Sequence, residues 1–228
     1  MHIFISGASR GLGLALALAA AERGHTVWAG VRDPAGMAAA CEQYQGLIRP
    51  VALDVTSEAS IAAAAGALAA QGVKLDAIVN NAAVLLGREA AIEELELGEL
   101  QASFTVNLFG PLLVVKHVLP LVAERRTAVI VNISSEAGST AGAYGGDYPY
   151  ALSKAGLNYF SLQLRAYLRE AGTKVYAVHP GWIQTDMGGA AAPGDPAEAA
   201  AGILRLIENR DVQGEAVFVD HTGAPLPL

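Results

Sequence analysis

The run Met1-His2-Ile3-Phe4-Ile5-Ser6-Gly7-Ala8-Ser9-Arg10-Gly11-Leu12-Gly13 decides the fold. Its first six residues are mostly apolar and rich in β-formers, and three glycines follow before an alanine- and leucine-rich stretch. That is strand, tight turn, helix, with no leader-like basic segment ahead of the strand. The glycines make a turn without Cβ obstruction, let backbone approach a ligand, and leave a helix N-terminus aimed at it. The spacing is G-x-x-x-G-x-G. Alone, such a trio can simply make a tight turn between strand and helix.

Further along, the same alternation repeats. Strands are expected at Met1–Ser6, His25–Val31, Leu47–Leu53, Asp76–Asn80, Thr127–Ser134, Lys174–His179 and Ala216–Val219. Several are near-continuous apolar runs, as strands covered on both faces should be. Helices are expected at Gly11–Arg23, Pro34–Tyr44, Ser57–Gln71, Gly98–Glu124, Tyr148–Glu170 and Pro196–Asn209. Asp195-Pro196 and Thr56-Ser57-Glu58 are reasonable helix starts. Sustained strand–helix alternation predicts one α/β domain over 1–228, a doubly wound, seven-stranded parallel sheet with helices on both faces. The irregular stretches Gly138–Gly146 and Gly188–Gly194 should then lie at the carboxyl ends of strands, where such sheets bind ligands.

Composition sets the outer limits. Of 228 residues, 53% are hydrophobic and 16% charged, which suits a compact protein with a sizeable core. A net charge of −7 and the lack of a basic stripe argue against a nucleic-acid partner. The apolar run Leu12–Ala21 is too short to span a bilayer, so no membrane partner is expected. The single cysteine, Cys41, cannot form an intrachain disulfide and suits a reducing, cytoplasmic home. The five histidines are scattered without metal spacing.

The second strand ends Trp28-Ala29-Gly30-Val31-Arg32-Asp33. A cation here suits the 2′-phosphate of NADP, whereas an acid suits the ribose hydroxyls of NAD. Arg32, joined by Arg10 of the glycine turn, makes NADP(H) the preferred cofactor. If instead Asp33 takes the ribose, NAD(H) is the cofactor and Arg32 a solvated charge. Asp54, closing the third strand, either accepts from an adenine amino group or merely ends the strand.

Tyr150-Ala151-Leu152-Ser153-Lys154 puts a phenol and an ammonium on one helix face. A free tyrosine titrates near 10, and bringing it to about 7 takes roughly 4 kcal/mol. One exposed ion pair falls short; two cationic groups in a partly dry cleft could supply it. By itself the pair is also common on plain helix surfaces. The context is Ser134-Ser135, which ends the fifth strand where the tyrosine helix begins and could stabilise a developing alkoxide. Asn107 sits badly inside a helix. It either holds a water that passes protons to Lys154 or is a solvated, kinking residue.

Taken in order, the glycine turn Gly7–Gly13, Asn80-Asn81-Ala82-Ala83, Asn107, the serine pair, Tyr150/Lys154 and Pro180-Gly181-Trp182-Ile183-Gln184-Thr185-Asp186-Met187 resemble the short-chain dehydrogenase/reductase family over essentially the whole chain. The resemblance implies a Rossmann fold and a hydride-transferring oxidoreductase acting on a small carbonyl or alcohol. It implies Asn107, Ser135, Tyr150 and Lys154 as the catalytic set, with the second serine of the pair chosen. Gly7, Ser9, Arg10, Gly11, Leu12, Gly13, Val55, Asn80, Ala82, Pro180, Gly181, Ile183 and Thr185 are implied as cofactor contacts, besides Arg32, Asp54, Tyr150 and Lys154.

Two departures stand out: Ala83 replaces the family's usual glycine, and Ser135 and Tyr150 are 15 apart, a wide spacing. A bulging Gly138–Asp147 loop and a small lid after Met187 follow. The ending Phe218–Pro227 is similar to the carbonyl-reductase-like branch that includes C-factor proteins. A cofactor-binding signalling protein on the same scaffold is therefore the alternative function. The outer faces of Gly98–Glu124 and Tyr148–Glu170 are the expected homodimer surface.

Overall fold

The computed structural model describes residues 1–88, 90–209 and 215–228. Seven strands form one parallel sheet: β1 (His2–Ser6), β2 (Thr26–Val31), β3 (Ile48–Ala52), β4 (Ala77–Asn80), β5 (Val129–Ile133), β6 (Lys174–His179) and β7 (Phe218–Asp220). Their spatial order is β3-β2-β1-β4-β5-β6-β7, every neighbouring pair parallel. Chain direction across the sheet reverses between β1 and β4, so a crevice opens at their carboxyl ends.

Alternation along each strand separates two cores. Ile3, Ile5, Val27, Ala29, Val79 and Val131 face α1 (Gly11–Glu22) and α7 (Pro196–Asn209). Phe4, Trp28, Ile78 and Ile130 face the opposite way, toward α3 (Glu58–Ala70), α5 (Gly110–Val118) and α6 (Tyr148–Tyr167). Burying both faces explains why the strands lack polar alternation. Ser57 caps α3, its hydroxyl accepting from Ser60 N at 3.3 Å.

Two expected helices differ in detail. Pro34–Tyr44 divides into a 3₁₀ turn (Pro34–Met37) and a short α2 (Ala38–Gln43). Gly98–Glu124 is interrupted: α4 (Leu97–Phe104) passes into a π-helical turn over Thr105–Phe109, then α5, then a 3₁₀ turn at Leu119–Leu121. Pro120 cannot continue the α-helical ladder, which explains the early end. The run Leu97–Leu121 has the length and hydropathy to cross a membrane, yet Val114, Val115 and Val118 are core residues beneath the sheet.

Candidate active site

A cleft of about 530 Å³ runs along the carboxyl edge of the sheet and is bordered by the glycine turn, the β4–α4 segment, the serine pair and the segment after β6. At the glycine end, Gly7 (φ 69°) and Gly11 (φ 53°) occupy the left-handed region that glycine tolerates best. Gly13 is the tighter case: a Cβ there would stand 2.2 Å from Gly7 O and 2.4 Å from Asn81 Nδ2. Helix α1 begins without a side-chain cap and without an acid in its first turn. Its first amide donors are thus left for an anion, the arrangement a dinucleotide pyrophosphate requires.

Asn81 builds this turn from below. Its Nδ2 donates to Ser6 O and Gly7 O, both at 3.0 Å, while Asn81 N and Ala82 N donate to Ser6 Oγ at 3.1 and 3.2 Å. Nothing local in the sequence reveals this role; only the adjacency of β1 and β4 does.

Farther along the cleft, Val31, Arg32, Asp54 and Val55 line the β2–β3 side. Asp33 is turned away: its carboxylate accepts from Ala35 N at 3.0 Å and caps the Pro34–Met37 turn. Asp54 Oδ1 accepts from Thr56 N (2.9 Å) and Thr56 Oγ1 (2.7 Å). These bonds hold its carboxyl below the usual range, with a smaller contribution from Arg32. Arg10 also borders the cleft, but its guanidinium crosses the mouth to pair with Asp186 at 2.6 Å. The guanidinium expected to join Arg32 is therefore engaged with a carboxylate instead.

At the other end lie Ser135, Tyr150 and Lys154, all bordering the cleft. Lys154 is 2% exposed, its Nζ donating to Ile133 O at 2.7 Å and standing 5.5 Å from the centre of the Tyr150 ring. Burial drives its ammonium down from 10.5 to about 7. Tyr150 moves the other way. Burial raises its phenol above 10, the bond with Ser135 pulls it down, Asp147 raises it and Arg88 lowers it. The lowered phenol expected from the sequence needs two cations beside it, Lys154 and the nicotinamide ring of a bound cofactor. In the cleft, burial acts on both groups in the same sense, favouring the uncharged form of each.

The two serines have separate environments. Ser134 Oγ is buried and donates to Asn158 Oδ1 at 2.5 Å. Ser135 accepts from Ala137 N at 3.2 Å and hydrogen-bonds Tyr150. Beside them, His179 borders the cleft, its Nδ1 accepting from Glu136 N at 3.3 Å.

The remaining expected contacts, Ser9, Leu12, Ala82, Pro180, Gly181, Ile183 and Thr185, border the same cleft, with Gly7, Gly11 and Gly13. Asn80 and Asn107 do not border it. Asn80 points into the α6-side layer, where its Nδ2 donates to Asn132 Oδ1 at 2.8 Å. Asn107 is fully buried on the π-helical turn. Its amide accepts from Val84 N (2.9 Å) and donates to Val84 O (2.9 Å) and Ser153 Oγ (3.0 Å). Ser153 Oγ in turn donates to Tyr150 O at 2.7 Å. The side chain of Asn107 thus braces the cleft wall and the first turn of α6.

The chain as a whole is similar to known proteins. The chain is 33% identical to a 1-hydroxy-2-glutathionyl-2-methyl-3-butene dehydrogenase of Rhodococcus sp. (strain AD45), covering 91% of this chain and 90% of that one. It is 33% identical to the C-signal of Myxococcus xanthus over 67% of this chain and 92% of that protein. An NADPH-bound carbonyl reductase from chicken fatty liver superposes with a TM-score of 0.89 at 29% identity, over 100% of this chain and 98% of that one. The pattern that defines the short chain dehydrogenase family matches residues 1–195, and the chain belongs to that family.

Proposed function

We propose that this protein is an NADP(H)-dependent reductase that interconverts a small carbonyl compound and its alcohol. The observation that carries the reading is the convergence of Ser135, Tyr150 and Lys154 at one end of the glycine-cradled cleft. A bound nicotinamide cofactor supplies the hydride or takes it back. Tyr150, kept protonated by its burial, delivers the proton to the carbonyl oxygen. Ser135 donates to the same oxygen and favours the charge that develops there. Lys154 spends one N–H on Ile133 O and has others for a ribose hydroxyl and for returning a proton to Tyr150. Titration near neutrality fits it to carry that proton.

Arg32 borders the cleft while Asp33 serves as a turn cap, which favours a 2′-phosphate over bare ribose hydroxyls. The NADPH carried by the chicken carbonyl reductase supports the same choice. The test is NADPH consumption with a panel of aldehydes and ketones, using wild type and Tyr150→Phe. The substitution should lower kcat by roughly 10²–10⁴ while NADPH still binds. Substantial reduction by Tyr150→Phe would refute the assignment. The likeness to C-signal favours a second reading, a cofactor-binding signalling protein; tight NADPH binding with no turnover across the panel would bring it forward.

A further inference from the structure

We propose that Asn158 is a positioning residue that fixes Ser135 against Tyr150. The inference rests on the carbonyl-reductase reading above, specifically on Ser135 acting on the substrate oxygen.

Asn158 lies on α6 one turn beyond Lys154, as Lys154 lies one turn beyond Tyr150. Residues spaced by four share a helix face. Its amide holds the serine segment on both sides. Upstream, Ser134 Oγ donates to Asn158 Oδ1 at 2.5 Å; downstream, Asn158 Nδ2 donates to Gly138 O at 3.1 Å. Ser135 sits between the two anchors, leading into the Glu136–Gly138 turn. Both bonds are internal, with Asn158 1% and Ser134 2% exposed.

The pairing is selective. Gly138 O needs a donor and the Ser134 hydroxyl an acceptor, and a primary amide offers both without charge on two separate atoms. A carboxylate here would repel Gly138 O. An apolar side chain would fill the space and leave that carbonyl without this partner. Gly138 also rests directly on α6, where a Cβ would stand 2.5 Å from the Lys154 carbonyl carbon. The helix that carries the phenol and the ammonium therefore also sets the position of the serine hydroxyl. Among the described residues, Asn158 does not border the cleft, so it acts through Ser135 and not on substrate. Misplacement of a reacting group by about 1 Å can cost on the order of 10²-fold in rate.

A double-mutant cycle tests this with the full chain, NADPH and a ketone that the wild type reduces, read as single-turnover rates. Asn158→Ala should slow reduction about tenfold, with the dissociation constant for NADPH within about twofold of wild type. In the Ser135→Ala background the same change should alter the rate less than about twofold, because no hydroxyl remains to be positioned. Ser134→Ala breaks the same bond from the strand side and should show the same background dependence, which covers a poorly folding Asn158→Ala. Equal losses in both backgrounds would make Asn158 a plain structural residue and overturn the proposal alone. An undiminished rate in Ser135→Ala would overturn the role of Ser135, and the proposal with it.

Discussion

Replacing Lys154 by methionine should stabilise the cofactor-free protein at neutral pH and destabilise it at high pH. The ammonium titrates at about 7 in the fold, against 10.5 in water. Between those values the unfolded chain binds a proton that the folded chain refuses, so wild-type stability rises as pH rises through this window. The full shift corresponds to roughly 4–5 kcal/mol at 1.36 kcal/mol per unit. Near pH 7 the wild type thus carries a penalty of about 4 kcal/mol that methionine does not. Against this stands the bond from Lys154 Nζ to Ile133 O, whose loss leaves a buried carbonyl unpaired at about 1–3 kcal/mol. Lys154→Met should therefore be about 1–3 kcal/mol more stable at pH 7, with the order reversed near pH 10. Urea unfolding of both proteins at unit steps from pH 7 to 10 measures the difference directly. Groups common to both chains cancel in that difference. Parallel stability curves would show that Lys154 keeps an ordinary pKa in the fold and would refute the reasoning.

Arg32→Ala should weaken NADPH binding by about tenfold or more, in line with a lost charge-assisted bond, and leave NADH nearly unchanged; fluorescence titration with each cofactor decides, and equal losses would remove Arg32 from the phosphate site. Gly13→Ala drives a methyl group into Gly7 O and Asn81 Nδ2. Cofactor binding should fall below detection in that variant, and a retained affinity would show that the turn can relax. Phe109 and Leu112 near α5, and Leu152 and Tyr159 on α6, are exposed apolar side chains. We infer from them a homodimer, and a monomer in sedimentation at micromolar concentration would exclude it at that concentration.

The seven strands and their roles were legible because parallel strands buried on both faces leave uninterrupted apolar runs, as in Ile3–Ile5 and Val129–Val131. The cleft was legible where several motifs occur together in order along the chain, as with the turn at Gly7–Gly13, the serine pair and Tyr150/Lys154, all of which border it. Residues whose role depends on a distant partner were not. Asn81 reaches Ser6 and Gly7 across a strand pairing, and Asn158 reaches Ser134 from 24 positions away. Asn107 shows both sides of this. Its poor helix propensity marked the place, but the π-helical turn that turns its amide onto Val84 comes from packing. Asn80 and Asn81 are one residue apart and face opposite ways, the strand's period of two placing one inside the sheet layer and the other at the cleft.

The seam between β1 and β4 has a consequence for the nascent chain. β2 can pair with β1 once residue 31 has emerged, but β4 ends at Asn80. At about 5–20 residues per second, the other edge of β1 stays unpaired for roughly 2–10 seconds of synthesis. That edge belongs to Ile3, Phe4 and Ile5, an apolar template of the kind that recruits foreign strands. An interior seam of the finished sheet is thus left open for seconds while the protein is made, and chaperone dependence should concentrate there.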